Sequence, residues 1–351
     1  MITVRAGLEG VIAAQTRLSY VNGQAGELVI GGFALEELAN QASFEETAYL
    51  LWNDGLPNGE QLAAFGDSLA VRRALPDATL ALLKAAAVKR VPTMDALRMA
   101  ASSLSLGLDS DTDSTRSPQE GREALTLVAT FPTIVAAYWR LLHGEAPIAP
   151  DPSLSHAANY LYMLSGTPPS PERTRALETY LNTVVDHGLN ASTFTARVII
   201  STHSDMISAI VGAIGALKGP LHGGAPGPAL DMVFEIADAT RAEPFLRAKL
   251  ARGERLMGFG HRVYKVYDPR ARALSIAAEQ LYQADGDMAL YHLARDVEQT
   301  AIRLLEEHKP GRNLKTNVEF YTALLLHGLE LPTDLFTPTF AIGRVVGWIA
   351  H

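Results

Sequence analysis

The sequence contains no cysteine. Disulfide frameworks, thiolate nucleophiles and cysteine-ligated zinc are therefore excluded, and packing alone must hold the fold together. Basic residues are in the minority, with 30 Lys and Arg against 38 Asp and Glu and a formal net charge of -8. This balance disfavours nucleic acid and anionic membranes as partners. No uninterrupted apolar run reaches the ~18 residues of a membrane-spanning helix, and no basic segment followed by an apolar one opens the chain, so we expect a soluble cytoplasmic protein.

The chain has ample length and apolar content for a large core. Its 351 residues, 48% of them hydrophobic, allow one big domain or two unequal ones. Asn22-Gly23 lies between residues of alternating polarity, which predicts a short β-hairpin near the N-terminus. From Ser43 onward the signals are helical, beginning with a capping box of Ser43 and Glu46 and a stop at Gly55.

Helix signals then recur without intervening strands. Helix starts are indicated by prolines at three places: Pro76, Pro92 and Pro171. Apolar residues at helical spacing continue over four later segments: 207–217, 229–239, 270–285 and 288–307. Residues 107–118 are polar and aperiodic, which predicts a solvated surface loop. The pattern predicts an all-α fold, in which histidine, arginine and carboxylate side chains between helices carry any chemistry.

One candidate residue is His222, which lies among glycines and prolines in KGPLHGGAPG. Glycine lets the backbone approach a ligand closely, and a neutral histidine can donate a hydrogen bond to a developing enolate oxygen. A turn between two helices that contains an incidental histidine explains the same residues equally well.

A second candidate is the segment MGFGHRVYKVYDPR, which concentrates four titratable or basic side chains: His261, Arg262, Lys265 and Arg270. Arg270 can hold a carboxylate with two parallel hydrogen bonds, and Lys265 can meet a phosphate as a point charge. A surface basic patch is the alternative. A dinucleotide fingerprint starting at Gly258 is rejected, because Val263 stands at its third glycine position and no strand precedes it.

Charged side chains interrupt apolar sequence at two further places. Glu319, in TNVEFYT, precedes an apolar helix, where partial burial would raise its pKa toward that of a general base; an exposed first-turn glutamate is the alternative. Arg344 lies in an otherwise apolar helix and needs a partner if buried, which a substrate carboxylate could supply. In DHGLNASTFT, Asn190 or Ser192 could simply cap a helix. The histidines lack the spacing of a zinc site, so no metal is predicted.

Five motifs taken together resemble the citrate synthase family and occur in its order: GLEGVIAAQTRLSY, DHGLNASTFT, GPLHGGA, GFGHRVYKVYDPR and NVEFY. The resemblance runs nearly end to end. It implies an almost wholly helical homodimer that uses acetyl-CoA and oxaloacetate as substrates and needs no cofactor. It also implies a large helical domain over 1–223 and 331–351, which forms the dimer, and a smaller helical domain over 224–330, which binds CoA and carries the catalytic base.

The resemblance implies roles for individual residues as well. Glu319 would take a proton from the acetyl methyl group, His222 would stabilise the enol, and His261 would polarise the ketone of oxaloacetate. The oxaloacetate carboxylates would be bound by His187, Arg270 and Arg344, with Asn190 and Ser192 in support. CoA would be bound by Gly258, Phe259, Gly260, Arg262, Lys265 and Asn317.

Three departures from the family pattern bear on activity. Glu319 stands where most relatives have aspartate, and Val184 stands where a histidine is usual. The family's C-terminal tail, which brings another arginine to the neighbouring subunit's active site, has no counterpart up to His351. If that arginine is absent from the protein, we expect one substrate carboxylate to lose a contact worth about 1.5 to 3 kcal/mol.

Two alternative functions stay open. A 2-methylcitrate synthase uses propionyl-CoA on the same fold, and an apolar pocket discriminates one methylene by only about 1 to 3 kcal/mol. A non-catalytic CoA-binding homologue would account for Glu319, Val184 and the missing tail. Retention of both histidines and both arginines disfavours it, because a binding module needs no enol-stabilising group beside a base.

Overall fold

A computed structural model of the chain describes residues 14–107, 119–220, 222–223, 226–261 and 263–351. Within these ranges the protein is mostly helical, as predicted, with one small antiparallel sheet near the N-terminus. The sheet has the order β1-β2-β3 and consists of β1 (Ser19–Asn22), β2 (Glu27–Ile30) and β3 (Phe33–Ala34).

The predicted hairpin is confirmed, and a third strand extends it. Ser19 pairs with Ile30 and Asn22 with Glu27, so residues 23–26 form the turn. The Asn22 Oδ1 atom accepts hydrogen bonds from the backbone N–H groups of residues 24 and 25, which closes this turn. Strand β3 was not predicted, because two residues are too few for an alternation of polarity to be visible.

The helices of the N-terminal part are α1 (Leu35–Gln41), α2 (Phe44–Asn53), α3 (Gly59–Ala70), α4 (Asp77–Val88), α5 (Thr93–Ser103), α6 (Gln119–Leu142), α7 (His156–Ser165), α8 (Pro171–Val184), α9 (Ala191–Ile200) and α10 (Met206–Leu217). A second set follows: α11 (Gly227–Ile236), α12 (Ala239–Ala251), α13 (Pro269–Asp285), α14 (Ala289–His308) and α15 (Val318–Gly328). The last helix is α16 (Phe336–Ala350), and short 3₁₀ turns lie at Leu104–Gly107 and Thr333–Leu335.

Helix starts agree with the sequence signals. The Ser43 hydroxyl accepts from the N–H of Glu46, whose carboxylate accepts from the N–H of Ser43, so the capping box of α2 is confirmed. The predicted helix over 229–239 was too long, because Ala237 adopts a left-handed conformation with φ 61° and ends α11. Of the loop predicted at 107–118, Gly107 ends a 3₁₀ turn and the rest lies outside the described residues.

Helix α6 passes through the centre of the first set. Its segment Gly121–Leu142 is long and apolar enough to cross a membrane, with a mean hydropathy of 1.4, but 67% of its most apolar 18-residue stretch is buried within the protein. Phe131 and Tyr138, on this helix, are completely buried. Full burial of one such side chain contributes roughly 1.5 to 3 kcal/mol. Helix α6 is therefore a helix of the protein core.

The site described below lies where the two sets of helices meet. Helix α16 packs against α6 and α8, and α10 packs against α9 and α5. In the second set, α13 packs against α15 and also against α8 and α1, while α12 packs against α14. The division into domains at 223/224 and 330/331 stays a prediction.

Candidate active site

A cavity of about 1100 Å³ brings the predicted catalytic and substrate-binding side chains together. It is lined by all three predicted catalytic residues, all three predicted oxaloacetate ligands and two further predicted residues: His222, His261, Glu319, His187, Arg270, Arg344, Asn190 and Asn317. They come from loops and helix ends that are far apart in sequence. The volume slightly exceeds the usual range for small-molecule pockets, about 300 to 1,000 Å³, which suits a pair of substrates.

His222 is held by the N-terminus of α9. Its Nε2 atom lies 2.7 Å from the Ser192 hydroxyl and 3.3 Å from the Ser192 backbone nitrogen. The Ser192 Oγ atom also lies 2.8 Å from Asn190 Oδ1 and accepts from the buried indole N–H of Trp348. The Ser192 N–H donates to Nε2, so Nε2 is an acceptor and the ring proton lies on Nδ1, which is left to face a ligand.

Asn190 and Ser192 thus have defined structural tasks. Asn190 is the N-cap of α9, since its Oδ1 atom accepts from the N–H of Thr193 at 3.1 Å. Ser192 does not line the cavity and acts through His222. The interpretation of Asn190 as a helix cap is confirmed, and the same residue supports the imidazole through Ser192.

His261 and Arg270 direct hydrogen-bond donors at one region of the cavity. The N–H groups of Val263 and Tyr264 both lie 3.1 Å from His261 Nδ1, which therefore accepts and leaves the proton on Nε2. This Nε2 atom lies 3.1 Å from Arg270 Nη2, a second donor. Two adjacent donors suit an oxygen that accepts from both, such as a ketone or a carboxylate.

Arg270 is anchored rather than exposed on a surface patch. It is 7% exposed, and its guanidinium forms two hydrogen bonds with the buried Asp268 carboxylate, at 3.0 and 2.8 Å. Asp268 is also the N-cap of α13, so the arginine is held at the start of that helix. The alternative of a solvated basic patch is wrong for Arg270.

Glu319 lies in the first turn of α15 and is half-buried. Asn317 is the N-cap of this helix: its Oδ1 atom accepts from the N–H of Glu319, and its amide donates to the Gly260 carbonyl, both at 2.9 Å. Asn317 therefore links the base-bearing helix directly to the residue before His261. Its predicted contact with CoA stays a prediction.

The glycine-rich segment before His261 pairs with the strand-like segment before Glu319. Phe259 and Thr316 form an antiparallel bridge, and Gly260 N donates to the Lys315 carbonyl at 2.7 Å. Gly258 has φ 86°, and a Cβ atom there would lie 2.9 Å from Phe320, so only glycine fits. This pairing sets the position of His261 relative to Glu319.

Of the predicted CoA ligands, Gly258, Phe259 and Gly260 form this pairing, and Lys265 is exposed. Arg262 lies outside the described residues. Their contacts with CoA stay predictions.

Arg344 is buried, with 2% exposure, and its partners lie within the protein. Its Nε atom donates to the Val184 carbonyl, and its guanidinium lies 4.6 Å from the centre of the Phe340 ring. Burial lowers the pKa of Arg344 to about 10, with Asp186 opposing the shift, so the side chain stays cationic at neutral pH. Val184, whose carbonyl accepts from Arg344, also lines the cavity with an apolar side chain.

Burial also fixes the charge state of the histidines. It lowers the pKa of His222 to about 4, assisted by Arg344, and that of His261 to about 4, assisted by Arg270. Burial also lowers the pKa of His187 well below its ordinary value. All three rings are therefore neutral hydrogen-bonding groups at neutral pH.

The family model "Citrate synthase, C-terminal domain" matches residues 7–351. The chain belongs to the citrate synthase family. It is 42% identical to a citrate synthase of Haloferax volcanii, covering 99% of this chain and 91% of that one. It is 38% identical to a citrate/2-methylcitrate synthase of Bacillus subtilis, covering 98% of this chain and 91% of that one.

Among solved structures, the chain is similar to a citrate synthase from Thermoplasma acidophilum that was determined with carboxymethyl coenzyme A and oxaloacetate. The TM-score is 0.86 at 30% identity, covering 99% of this chain and 91% of that chain. Citrate synthases catalyse the condensation of acyl-CoA with oxaloacetate, so the chain is an enzyme of that type.

Sequence reasoning missed two buried residues that adjoin the citrate synthase site, Glu298 and Tyr264. Glu298, on α14, is 3% exposed and accepts hydrogen bonds from four side chains: Tyr267, Thr316, Tyr321 and Arg295. A lone glutamate in an amphipathic helix carries no sequence signal for such a role. Its donors flank Asp268, Asn317 and Glu319, so Glu298 connects the segments that carry the site.

Activity is expected to fall as the pH is lowered through the pKa of Glu319. Burial raises the pKa of Glu319 above its ordinary value, although Arg270 and Arg255 oppose the shift. Only the carboxylate can accept a proton, whereas His222 and His261, with pKa values of about 4, stay neutral. The measurement is kcat/KM between about pH 5 and 9, which reports ionisations of the free enzyme. An acid limb that keeps its position in Glu319→Asp would assign the limb to another group.

Proposed function

We propose that this chain condenses acetyl-CoA with oxaloacetate and hydrolyses the product to citrate and CoA, the first step of the tricarboxylic acid cycle. The observation that carries the proposal is a half-buried carboxylate, Glu319, in one cavity with two neutral histidines and two buried arginines. The site combines a base, a hydrogen-bond donor for an enolate and cations for a dicarboxylate.

The first chemical step is enolisation. The Glu319 carboxylate takes a proton from the methyl group of the thioester, and the electron pair of that C–H bond moves to the carbonyl oxygen. His222 donates a hydrogen bond to this oxygen from Nδ1, while Ser192 holds Nε2. Since the imidazole is neutral and fixed before the reaction, it stabilises the developing charge without reorganising.

The second step forms the carbon–carbon bond. The enolate carbon attacks the ketone carbon of oxaloacetate, and the electron pair of the C=O π bond moves to the ketone oxygen, which accepts a hydrogen bond from His261 Nε2. The proton that Glu319 removed supplies the hydroxyl of the product, so the carboxylate is regenerated. Arg270 lies beside this donor at 3.1 Å and, with His187 and Arg344, binds the two carboxylates. Water then cleaves the thioester of the bound product and releases CoA thiol and citrate. The Thermoplasma acidophilum structure, solved with a CoA derivative and oxaloacetate, supports this pair of substrates.

The test is release of CoA thiol, followed with a disulfide dye, from acetyl-CoA with and without oxaloacetate. The chain has no cysteine, so the protein itself contributes no background. We expect thiol release that depends on oxaloacetate. Binding of CoA without any release would contradict the enzyme and favour the non-catalytic homologue.

A second candidate substrate is propionyl-CoA, favoured by the relative from Bacillus subtilis whose name includes 2-methylcitrate synthase. Apolar side chains line the cavity near Arg344, among them Val184, Phe336 and Phe340. Since one methylene is worth about 1 to 3 kcal/mol in such a pocket, the two kcat/KM values are expected to differ by about 10- to 200-fold. Faster turnover of propionyl-CoA would reverse the assignment.

We also propose that the protein is a homodimer, as the resemblance implies. Helix α9 supports this, because Val198 and Ile200 near its C-terminus are 49% and 37% exposed in the single chain. Apolar side chains exposed in this way are suited to burial against a second copy.

A further inference from the structure

Tyr264 contacts three of the predicted substrate-binding or catalytic residues, yet it does not itself line the cavity. It is 2% exposed, and its hydroxyl lies 3.1 Å from His187 Nε2. Its ring centre lies 5.0 Å from that of His261, and the Arg270 guanidinium lies 5.5 Å from the ring centre. One buried side chain thus adjoins the ketone-polarising histidine and two carboxylate ligands.

The backbone around Tyr264 is held on two sides. Its own N–H and that of Val263 donate to His261 Nδ1, and Lys265 N donates to the Gly23 carbonyl at 2.8 Å. A Cβ atom at Gly23 would lie 2.2 Å from the Val263 carbonyl oxygen, so the hairpin turn approaches this loop as closely as glycine allows. The tyrosine ring therefore has a fixed place between the hairpin and the site.

The hydroxyl of Tyr264 has a defined direction of donation. Burial raises the pKa of Tyr264, so the phenol keeps its proton. Within the described part of the chain, His187 Nε2 is the hydrogen-bond partner of this hydroxyl. Donation to Nε2 satisfies the buried O–H, whereas acceptance would leave its proton without a partner. His187 then carries its own proton on Nδ1.

We infer that Tyr264 is a positioning residue for substrate binding. Its hydroxyl fixes the orientation and the tautomer of His187, and its ring holds Arg270 and His261 in place beside His187. The inference rests on the proposed function, because it assumes that these three residues bind oxaloacetate. It adds to the site a residue that acts through its hydroxyl on one ligand and through its ring on two others.

The test compares Tyr264→Phe with the wild-type protein. The variant loses only the hydroxyl, so the contacts of the ring with His261 and Arg270 persist. We expect the Kd for oxaloacetate alone, measured by titration calorimetry, to rise by about 3- to 10-fold, as for the loss of one hydrogen bond. KM for oxaloacetate should rise in parallel, whereas KM for acetyl-CoA should stay unchanged.

Tyr282→Phe is the matched control. Tyr282 is also buried, and its hydroxyl donates to the Leu324 carbonyl between α13 and α15, away from the cavity-lining side chains. The Tyr282→Phe variant should lose about as much thermal stability as Tyr264→Phe, whereas its affinity for oxaloacetate should not change. An equal rise in Kd in both variants would show a merely structural effect and overturn the inference.

The remaining outcomes separate the inference from the proposed function. Wild-type protein that does not bind oxaloacetate would contradict the proposed function itself. Wild-type protein that binds, together with a Tyr264→Phe variant of equal affinity, would overturn the inference alone. Tighter binding by the variant would overturn it as well, because the hydroxyl would then compete with substrate for His187.

Discussion

Replacing Glu319 by glutamine is expected to lower kcat for citrate formation by about 10²- to 10⁴-fold, the usual contribution of a general base. The amide has the shape of the carboxylate but cannot accept the methyl proton. The substrate carboxylates are bound by other residues, so KM for oxaloacetate should change little. The measurement is oxaloacetate-dependent thiol release under saturating substrates.

Stability measurements distinguish this loss from unfolding. Burial raises the folded-state pKa of Glu319, so the stability associated with its neutral form is present below the unfolded-state pKa and is lost as the pH rises through the folded value. At pH 8 the glutamine of the variant has no charge to bury, so the variant does not lose this stability. The variant should therefore unfold at the same temperature as the wild type or a higher one.

Glu319→Asp is the matched control for the base. It keeps a carboxylate on a side chain that is one methylene shorter. Asn317 should still cap α15 through the backbone N–H of residue 319. We expect this variant to retain far more activity than Glu319→Gln. Equal activities of the aspartate and glutamine variants, or full activity of the glutamine variant, would place the base elsewhere.

Replacing Glu298 by alanine is expected to destabilise the protein by about 3 to 5 kcal/mol, as for removal of one partner from a buried charged network. Its carboxylate accepts from the hydroxyls of Tyr267 at 2.9 Å, Thr316 at 2.7 Å and Tyr321 at 2.5 Å. In the variant these three donors lose their acceptor inside the protein. Urea unfolding followed by circular dichroism measures the change.

Activity should fall with stability in this variant, because the donors lie beside the residues of the site. Thr316 precedes Asn317, and Tyr321 is two residues after Glu319 on α15. Glu298→Gln is the control: it keeps one acceptor oxygen and should lie between wild type and alanine in both properties. A decrease of less than about 1 kcal/mol in the free energy of unfolding of Glu298→Ala would show that water can accept the hydrogen bonds of these donors in place of the carboxylate.

Local features of the fold were predictable because neighbouring residues determine them. Ser43 and Glu46 cap α2 as expected, since both bonds of a capping box lie within four residues. The hairpin turn after Asn22 is equally local. The end of α11 at Ile236 was not predicted, because nothing in the apolar spacing of 229–239 marks Ala237 as left-handed. The short strand β3 depends on pairing with β2, which is a tertiary event.

The sequence by itself determined the family, the helical class and the identities of eight of the side chains that line the cavity. It could do so because glycines, histidines and arginines that interrupt helices leave motifs readable within a few residues. The tertiary structure alone decided their partners: Ser192 for His222, Asp268 for Arg270, Tyr264 for His187 and four donors for Glu298. Most of these contacts join residues that are far apart in the chain, and the burial that sets their charge states exists only once the helices have packed.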